Sequence, residues 1–289
     1  MTSDVSRLKA PFVQNDGARL SDVLAVRPSQ AVEAIAPLQS EPGAIYERAA
    51  EQFDGLVSTL ALRGVRSTVL DPDPSRGAGV MIADLAVVLA GGAILMRPTD
   101  ARRWPELERV ERALTAAGVP LIGRIEPPGL LDGGDVLLGD GVAYVGVTYD
   151  RKDTIGLPRA RRGNEFGRRQ FAAIASEAGV RVRETPVASD VRRLRAVASF
   201  VDTKTVLVAS DRVDRTVFGD AEIVETPAGE EYGAGVLALG GRRVLANVRF
   251  RELFSVLKRA RVNADAIDLW EFGKFGATPS MLALALKRA

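Results

Sequence analysis

Leu130-Leu131-Asp132-Gly133-Gly134-Asp135-Val136-Leu137 is the stretch on which the fold of this chain turns. An aspartate ahead of two glycines is a common turn former. The run that follows, Asp135 to Leu138, is apolar after its first residue and reads as a short strand. It turns at Gly139-Asp140-Gly141 into a second apolar run, Val142 to Val147. Glycine-containing turns between apolar runs are hairpin signals.

Three more hairpins have the same form. Asp84 to Leu89 turns at Gly91-Gly92 into Ala93 to Met96. Val197 to Val201 turns at Asp202-Thr203-Lys204 into Thr205 to Ala209, and Val236 to Leu239 turns at Gly240-Gly241 into Val244 to Ala246. The hairpins recur at spacings of roughly 45–60 residues, the range of a repeated supersecondary unit. Val23 to Val26 and Met281 to Leu286 remain as single strands; paired, they make a fifth unit and close a ring.

Helices fall between the hairpins. The first is expected from about Pro42 to Arg63, capped by Ser40 and stopped by Gly64. Its stripe is Tyr46, Ala49, Phe53, Leu56, Val57 and Leu60, which is helical spacing. Others are expected from about Pro105 to Ala117, from a cap at Asn164 to Ala178, and from about Arg249 to Ala260.

Composition excludes several classes. The chain has 289 residues, 46% apolar, with neither cysteine nor histidine. That rules out disulfides and thiolate metal sites, and argues against zinc or haem. No metal or cofactor is expected. No run approaches a membrane-spanning length, and Met1 to Arg7 lacks the apolar core of a signal peptide, so a cytoplasmic protein with no membrane partner is the expectation. The net charge is +2. The arginine clusters Arg159 to Arg162 with Arg168-Arg169, and Arg192-Arg193-Arg195, read as solvated faces or ion pairs rather than a nucleic-acid footprint.

In order along the chain, these segments resemble the guanidine-modifying enzymes: dimethylargininase, arginine deiminase and the amidinotransferases. The resemblance implies an α/β pentein fold, or α/β-propeller, with five ββαβ-type units around a pseudo-five-fold axis. It places the pentein domain over residues 21–289, behind an N-terminal extension of residues 1–20. Ile82-Ala83-Asp84-Leu85-Ala86-Val87-Val88 is similar to the segment whose aspartate holds the substrate guanidinium. Arg97, in Ile94-Leu95-Met96-Arg97-Pro98, and Arg162, in Arg161-Arg162-Gly163-Asn164, match arginines that meet the substrate carboxylate. Asp132 matches the acid paired with the catalytic histidine, and Glu271-Phe272-Gly273-Lys274-Phe275 matches the segment before the nucleophile.

Two positions depart from the pattern. Arg193, in Arg192-Arg193-Leu194-Arg195, stands where the family has histidine. Met281 stands where it has the cysteine nucleophile, or Ser280 if the register slips by one. A thioether has no proton to lose, and an arginine stays protonated far above neutral pH, so neither the attacking group nor the base survives. If Met281 lies on the last strand and faces the pocket, Ser280 faces away. Asp84, Asp132 and Asp135 would then line a pocket with a guanidinium already in it, that of Arg193; the plainer reading sends Arg193 to solvent and leaves the aspartates as turn formers.

The expectation is a catalytically inactive homologue acting as a binding, regulatory or structural protein. It competes with an amidinohydrolase using a rearranged site on arginine or methylated arginine, and with an arginine-binding sensor. The partners to consider are an arginine-like small molecule and a protein partner or active paralogue. A ring centre filled by Arg193 and Met281 favours the inactive form; free carboxylates in an open cavity favour the others.

Overall fold

Each short apolar run becomes a strand of one of five three-stranded sheets in the computed structural model, which describes residues 10–38, 41–150, 152 and 161–289. The chain begins with β1 (Leu20–Val26), α1 (Tyr46–Leu62) and β2 (Arg66–Leu70). The second unit is β3 (Ala86–Leu89), β4 (Gly92–Leu95), α2 (Leu107–Ala116) and β5 (Leu121–Arg124). The third is β6 (Val136–Gly139), β7 (Val142–Tyr149), α3 (Glu165–Glu177) and β8 (Arg181–Ala188). The fourth opens on a single helical turn, α4 (Leu194–Val197), and continues through β9 (Ala198–Phe200), β10 (Thr205–Val208) and β11 (Glu222–Glu225). Where the other units carry a crossover helix it has only a 3-10 turn, Arg215–Phe218. The fifth is β12 (Leu237–Gly240), β13 (Arg243–Asn247), α5 (Arg251–Arg259) and β14 (Asn263–Ile267). Two more single turns, α6 (Trp270–Gly273) and α7 (Pro279–Leu282), lead into β15 (Leu284–Arg288).

One pairing rule holds in all five sheets. The middle strand runs antiparallel to one neighbour and parallel to the other. In the first sheet the antiparallel neighbour of β1 is β15, so the last strand completes the unit that the first one starts. The five-unit pentein arrangement read from the sequence is therefore the one observed.

The helices cover the sheets with the stripes that the sequence marks. In α1 the residues Ala49, Phe53, Leu56 and Leu60 are fully buried, each large side chain contributing about 1.5–3 kcal/mol of apolar burial. Asn164 caps α3 by accepting from the Gly167 N–H at 2.9 Å. The start of α1 differs from expectation. It begins at Tyr46 rather than near Pro42, where the N–H groups at its start are capped by carboxylates from outside its flanks. Ile45 N–H donates to Glu271 at 2.7 Å and Tyr46 N–H to Glu33 at 3.0 Å. Ser40 lies outside the described residues.

The final strand also differs. Met281 and Ser280 lie in α7, and the strand begins only at Leu284. Pro279 brings a preset backbone angle to the first helical position, and the Met281 N–H closes the turn onto the Thr278 carbonyl at 2.9 Å. The two-face alternation of a strand does not apply there, and both side chains are buried.

A short turn precedes the first strand of every unit: Ile82–Asp84, Gly133–Asp135, α4, Glu231–Ala234 and α7. These turns pack on one another. Residues ahead of β1 are drawn in as well: the N–H groups of Phe12 and Asp16 donate to the carbonyls of Ala90 and Leu138.

Candidate functional site

The glycine pair of the opening motif is explained by close approach. A Cβ on Gly133 would lie 2.2 Å from the Ala83 carbonyl oxygen, and one on Gly134 would lie 2.4 Å from Asp84 Oδ1. Only glycine lets the turn carrying Asp132 and Asp135 sit directly on the turn carrying Asp84. The Gly134 N–H then donates to Asp84 Oδ1 at 3.2 Å.

Arg193 enters between these two turns. Its Nε–H donates to Asp84 Oδ1 at 2.9 Å, and its Nη2 donates to Asp132 Oδ1 at 2.6 Å and Asp84 Oδ2 at 3.4 Å. Its Nη1 donates to the carbonyls of Arg192 at 2.8 Å and Arg161 at 3.2 Å. All five N–H groups of a guanidinium are thereby used. The Arg193 side chain is 12% exposed, against 3% for Asp84 and 0% for Asp132.

A second cation, missed by the sequence reading, serves Asp84 from the other side. Arg103 is buried and donates to Asp84 Oδ2 at 3.0 Å, to Glu106 at 3.0 and 3.1 Å, and to the Met81 carbonyl at 3.2 Å. Nothing in Arg102-Arg103-Trp104-Pro105 marks it, since an arginine at the entrance to a helix is ordinarily solvated.

Asp135 has a different task from the one expected. It does not meet the Arg193 guanidinium; its Oδ1 accepts from Arg162 and from the Leu194 N–H at 2.9 Å, tying down the backbone next to Arg193. Its Oδ2 is buried without a hydrogen-bond partner. Arg162, expected to bind a carboxylate ligand, spends its guanidinium on Asp135 and the Val191 carbonyl, with 3% of its side chain exposed. Arg97 lies flat over the Trp104 ring at 3.6 Å and donates to the Gly129 carbonyl at 3.1 Å. In this conformation both arginines are occupied by the protein itself.

The charges of the cluster do not balance. Asp84, Asp132, Asp135 and Glu106 face Arg103, Arg162 and Arg193, one carboxylate too many. Burial, helped by the negative charges of Asp84 and Asp135, outweighs the pull of Arg193 and holds the Asp132 carboxyl up at about 6. Burial raises Asp135 too, against the pull of Arg162 and Arg193. For Arg193 burial works against the cation, yet the three aspartates hold its guanidinium above the usual arginine range.

Met281 is buried in the large apolar cluster that also holds Leu194, Phe272 and Phe275. The Ser280 hydroxyl donates to the Arg195 carbonyl at 3.1 Å and lies 3.2 Å from the Thr278 hydroxyl. Neither arrangement activates a nucleophile, which needs an adjacent base. Asp132 titrates in a useful range, but it is sealed from solvent, with one oxygen on Arg193 and the other on the Thr99 N–H at 3.2 Å. Neither the axial cavity of about 20 Å³ nor a second cavity of about 210 Å³ beside Tyr232 and Thr278 is lined by Asp84, Asp132 or Arg193.

Of the arginines suggested as a solvated face, Arg193 and Arg195 are turned inward, Arg195 pairing with Asp16 at 2.7 Å; Arg159 lies outside the described residues. Among the described residues no helix is long and apolar enough to cross a membrane.

Five three-stranded sheets with one pairing rule give this chain a pentein fold. No family model matches the chain. Two of the curated proteins it resembles are dimethylarginine dimethylaminohydrolases. The chain is 29% identical to the dimethylarginine dimethylaminohydrolase of Streptomyces coelicolor over 248 residues, which is 83% of this chain and 86% of that one. It is 24% identical to the Pseudomonas aeruginosa enzyme over 239 residues, 83% of this chain and 89% of the relative. A mutant of that Pseudomonas enzyme, solved with citrulline, superposes with a TM-score of 0.82 at 23% identity, covering 92% of this chain and 99% of the other. The amidinotransferase SxtG of Microseira wollei superposes with a TM-score of 0.79 at 13% identity, covering 96% and 97%.

Proposed function

We propose that this protein is a non-catalytic pentein in which Arg193 replaces a bound guanidinium ligand. The observation that carries the reading is the Arg193 guanidinium, shared between Asp84 and Asp132 with every N–H used. Two acids placed for a cationic ligand are neutralised from within. A chain without cysteine or histidine also lacks the thiolate and the base that the dimethylargininase reaction requires. With both groups gone, the loss is of a joint mechanism rather than of one contribution to it. Asp132 and Asp84 are then structural counter-ions, and the protein acts by binding or as part of an assembly. Arg97 and Arg162 support the reading, since each is engaged within the chain.

The test is an amine- and ammonia-release assay with dimethylarginine, arginine and agmatine, alongside calorimetry with the same compounds and citrulline. Release no greater than the buffer blank is expected. Turnover that vanishes in Ser280→Ala would refute the proposal and establish a serine-based hydrolase; stoichiometric heat with arginine and no turnover would point to a sensor.

A further inference from the structure

The ring encloses a second charged site, separate from the Arg193 cluster. A cavity of about 20 Å³ is lined by all five units, through Ala86, Leu138, Arg195, Leu237 and Arg288. Asp16 and Ser280 also face it. A space of this size holds one water-sized or monatomic species and no polyatomic anion.

Its charges are unbalanced in the opposite sense to the first cluster. Arg195 and Arg288 supply two cations and Asp16 the one carboxylate among the lining residues. Asp16 is already engaged, its Oδ2 accepting from Arg195 at 2.7 Å and from the Leu138 N–H at 2.8 Å. Arg288 is 4% exposed. Its Nη1 donates to the carbonyls of Ala18 at 2.7 Å and Ala238 at 2.9 Å, and its buried Nε–H has no acceptor. Among the described residues no carboxylate lies within ion-pair distance of it. Burial, with the Arg195 cation adding to it and Asp16 offsetting part of it, holds its guanidinium down at about 10. An arginine keeps its proton at neutral pH even so, and a buried cation without a counter-charge is costly.

We propose that this axial cavity binds one monatomic anion, chloride, held by Arg288 and Arg195. The anion supplies the missing negative charge and an acceptor for the Arg288 Nε–H. It bridges the first unit, through Arg288, and the fourth, through Arg195, in a cavity lined by all five, so binding stabilises the closed ring.

Bromide is the probe. Crystals of the full chain soaked in sodium bromide should show an anomalous peak in the cavity, within hydrogen-bond distance of Arg288. In solution, replacing sodium gluconate by sodium chloride at constant ionic strength should raise Tm by about 5 °C, the size expected when a ligand of the folded state is present at roughly 50 times its Kd. Arg288→Met should abolish the chloride response. Asp16→Asn, which removes the one competing carboxylate, should enlarge it and keeps the proposal testable if Arg288→Met does not fold. A cavity holding only water at high bromide, or equal Tm in chloride and gluconate, overturns the proposal.

Discussion

Replacing Arg193 with alanine removes five hydrogen bonds and leaves two acids to be accounted for separately. Asp84 keeps the Arg103 Nη1 at 3.0 Å and the Gly134 N–H at 3.2 Å. Asp132 keeps only the Thr99 N–H at 3.2 Å, so the stranded charge is its own. Breaking a buried pair from one side costs about 3–5 kcal/mol, which for a chain of this size lowers Tm by roughly 10 °C. The loss should depend on pH. Asp132 sits at about 6 with Arg193 present and, since Arg193 lowers it, must rise further without it. As pH falls through that raised value, the folded variant takes up a proton that the unfolded chain does not bind until lower pH. The variant therefore recovers relative to the parent on acidification. Urea unfolding of parent and Arg193→Ala at about pH 8 and about pH 5 measures both effects, with the gap largest at the higher pH. Adding Asp132→Asn to the variant should restore part of the loss, since both partners are then gone. A deficit below roughly 1 kcal/mol at the higher pH, the size of an exposed pair, or a deficit that does not change with pH, refutes the buried-plug reasoning.

Asp132 in the parent gives a related signature: its pKa is raised on folding, so its share of stability is greatest at low pH and is lost as pH rises through about 6. The stability of the parent relative to Asp132→Asn should therefore fall between about pH 4 and pH 7, and a flat difference would contradict the placement of that carboxyl. Gly134→Ala forces a methyl to within 2.4 Å of Asp84 Oδ1 and 3.1 Å of Arg193 Cδ; overpacking of this kind costs about 1–3 kcal/mol, and a neutral result in thermal unfolding would mean the two turns can separate freely. The double variant Arg193→His with Met281→Cys should react with a chloroacetamidine faster than Ser280→Cys does, because the Ser280 side chain is directed at the Arg195 carbonyl and the axial cavity. Faster labelling at position 280 would place the nucleophile position one residue earlier and remove Met281 from the argument.

The units were legible because their signals are local. Hairpins need apolar runs flanking turn formers, and helices need a stripe at helical spacing; both lie within a dozen residues of themselves, as Phe53, Leu56 and Leu60 on α1 illustrate. The pairing of Arg193 with Asp84 and Asp132 was also anticipated, but only through resemblance to a family with ligands at those positions. Spacing alone does not join residues that stand 109 and 61 apart. Three features had no local signal. The start of α1 is set by Glu33, 13 residues earlier in the same unit, and by Glu271 from the far end of the chain, and not by its adjacent flanks. Ser280 and Met281 look like strand residues by composition, yet Pro279 and the packing of α7 against the Ile82–Asp84 turn make them helical. Arg103 and Arg288 carry no local mark of burial; Arg103 is buried against Asp84, Glu106 and Met81 of its own unit, and Arg288 against the carbonyls of Ala18 and Ala238. The sequence by itself determined which segments become strands and helices and which chemistry is missing, because propensity and atom types are properties of the residues. The tertiary structure decided where the charges go, because the energy of a buried ion depends on what lies within a few ångströms of it, and in a ring those neighbours come from every unit at once.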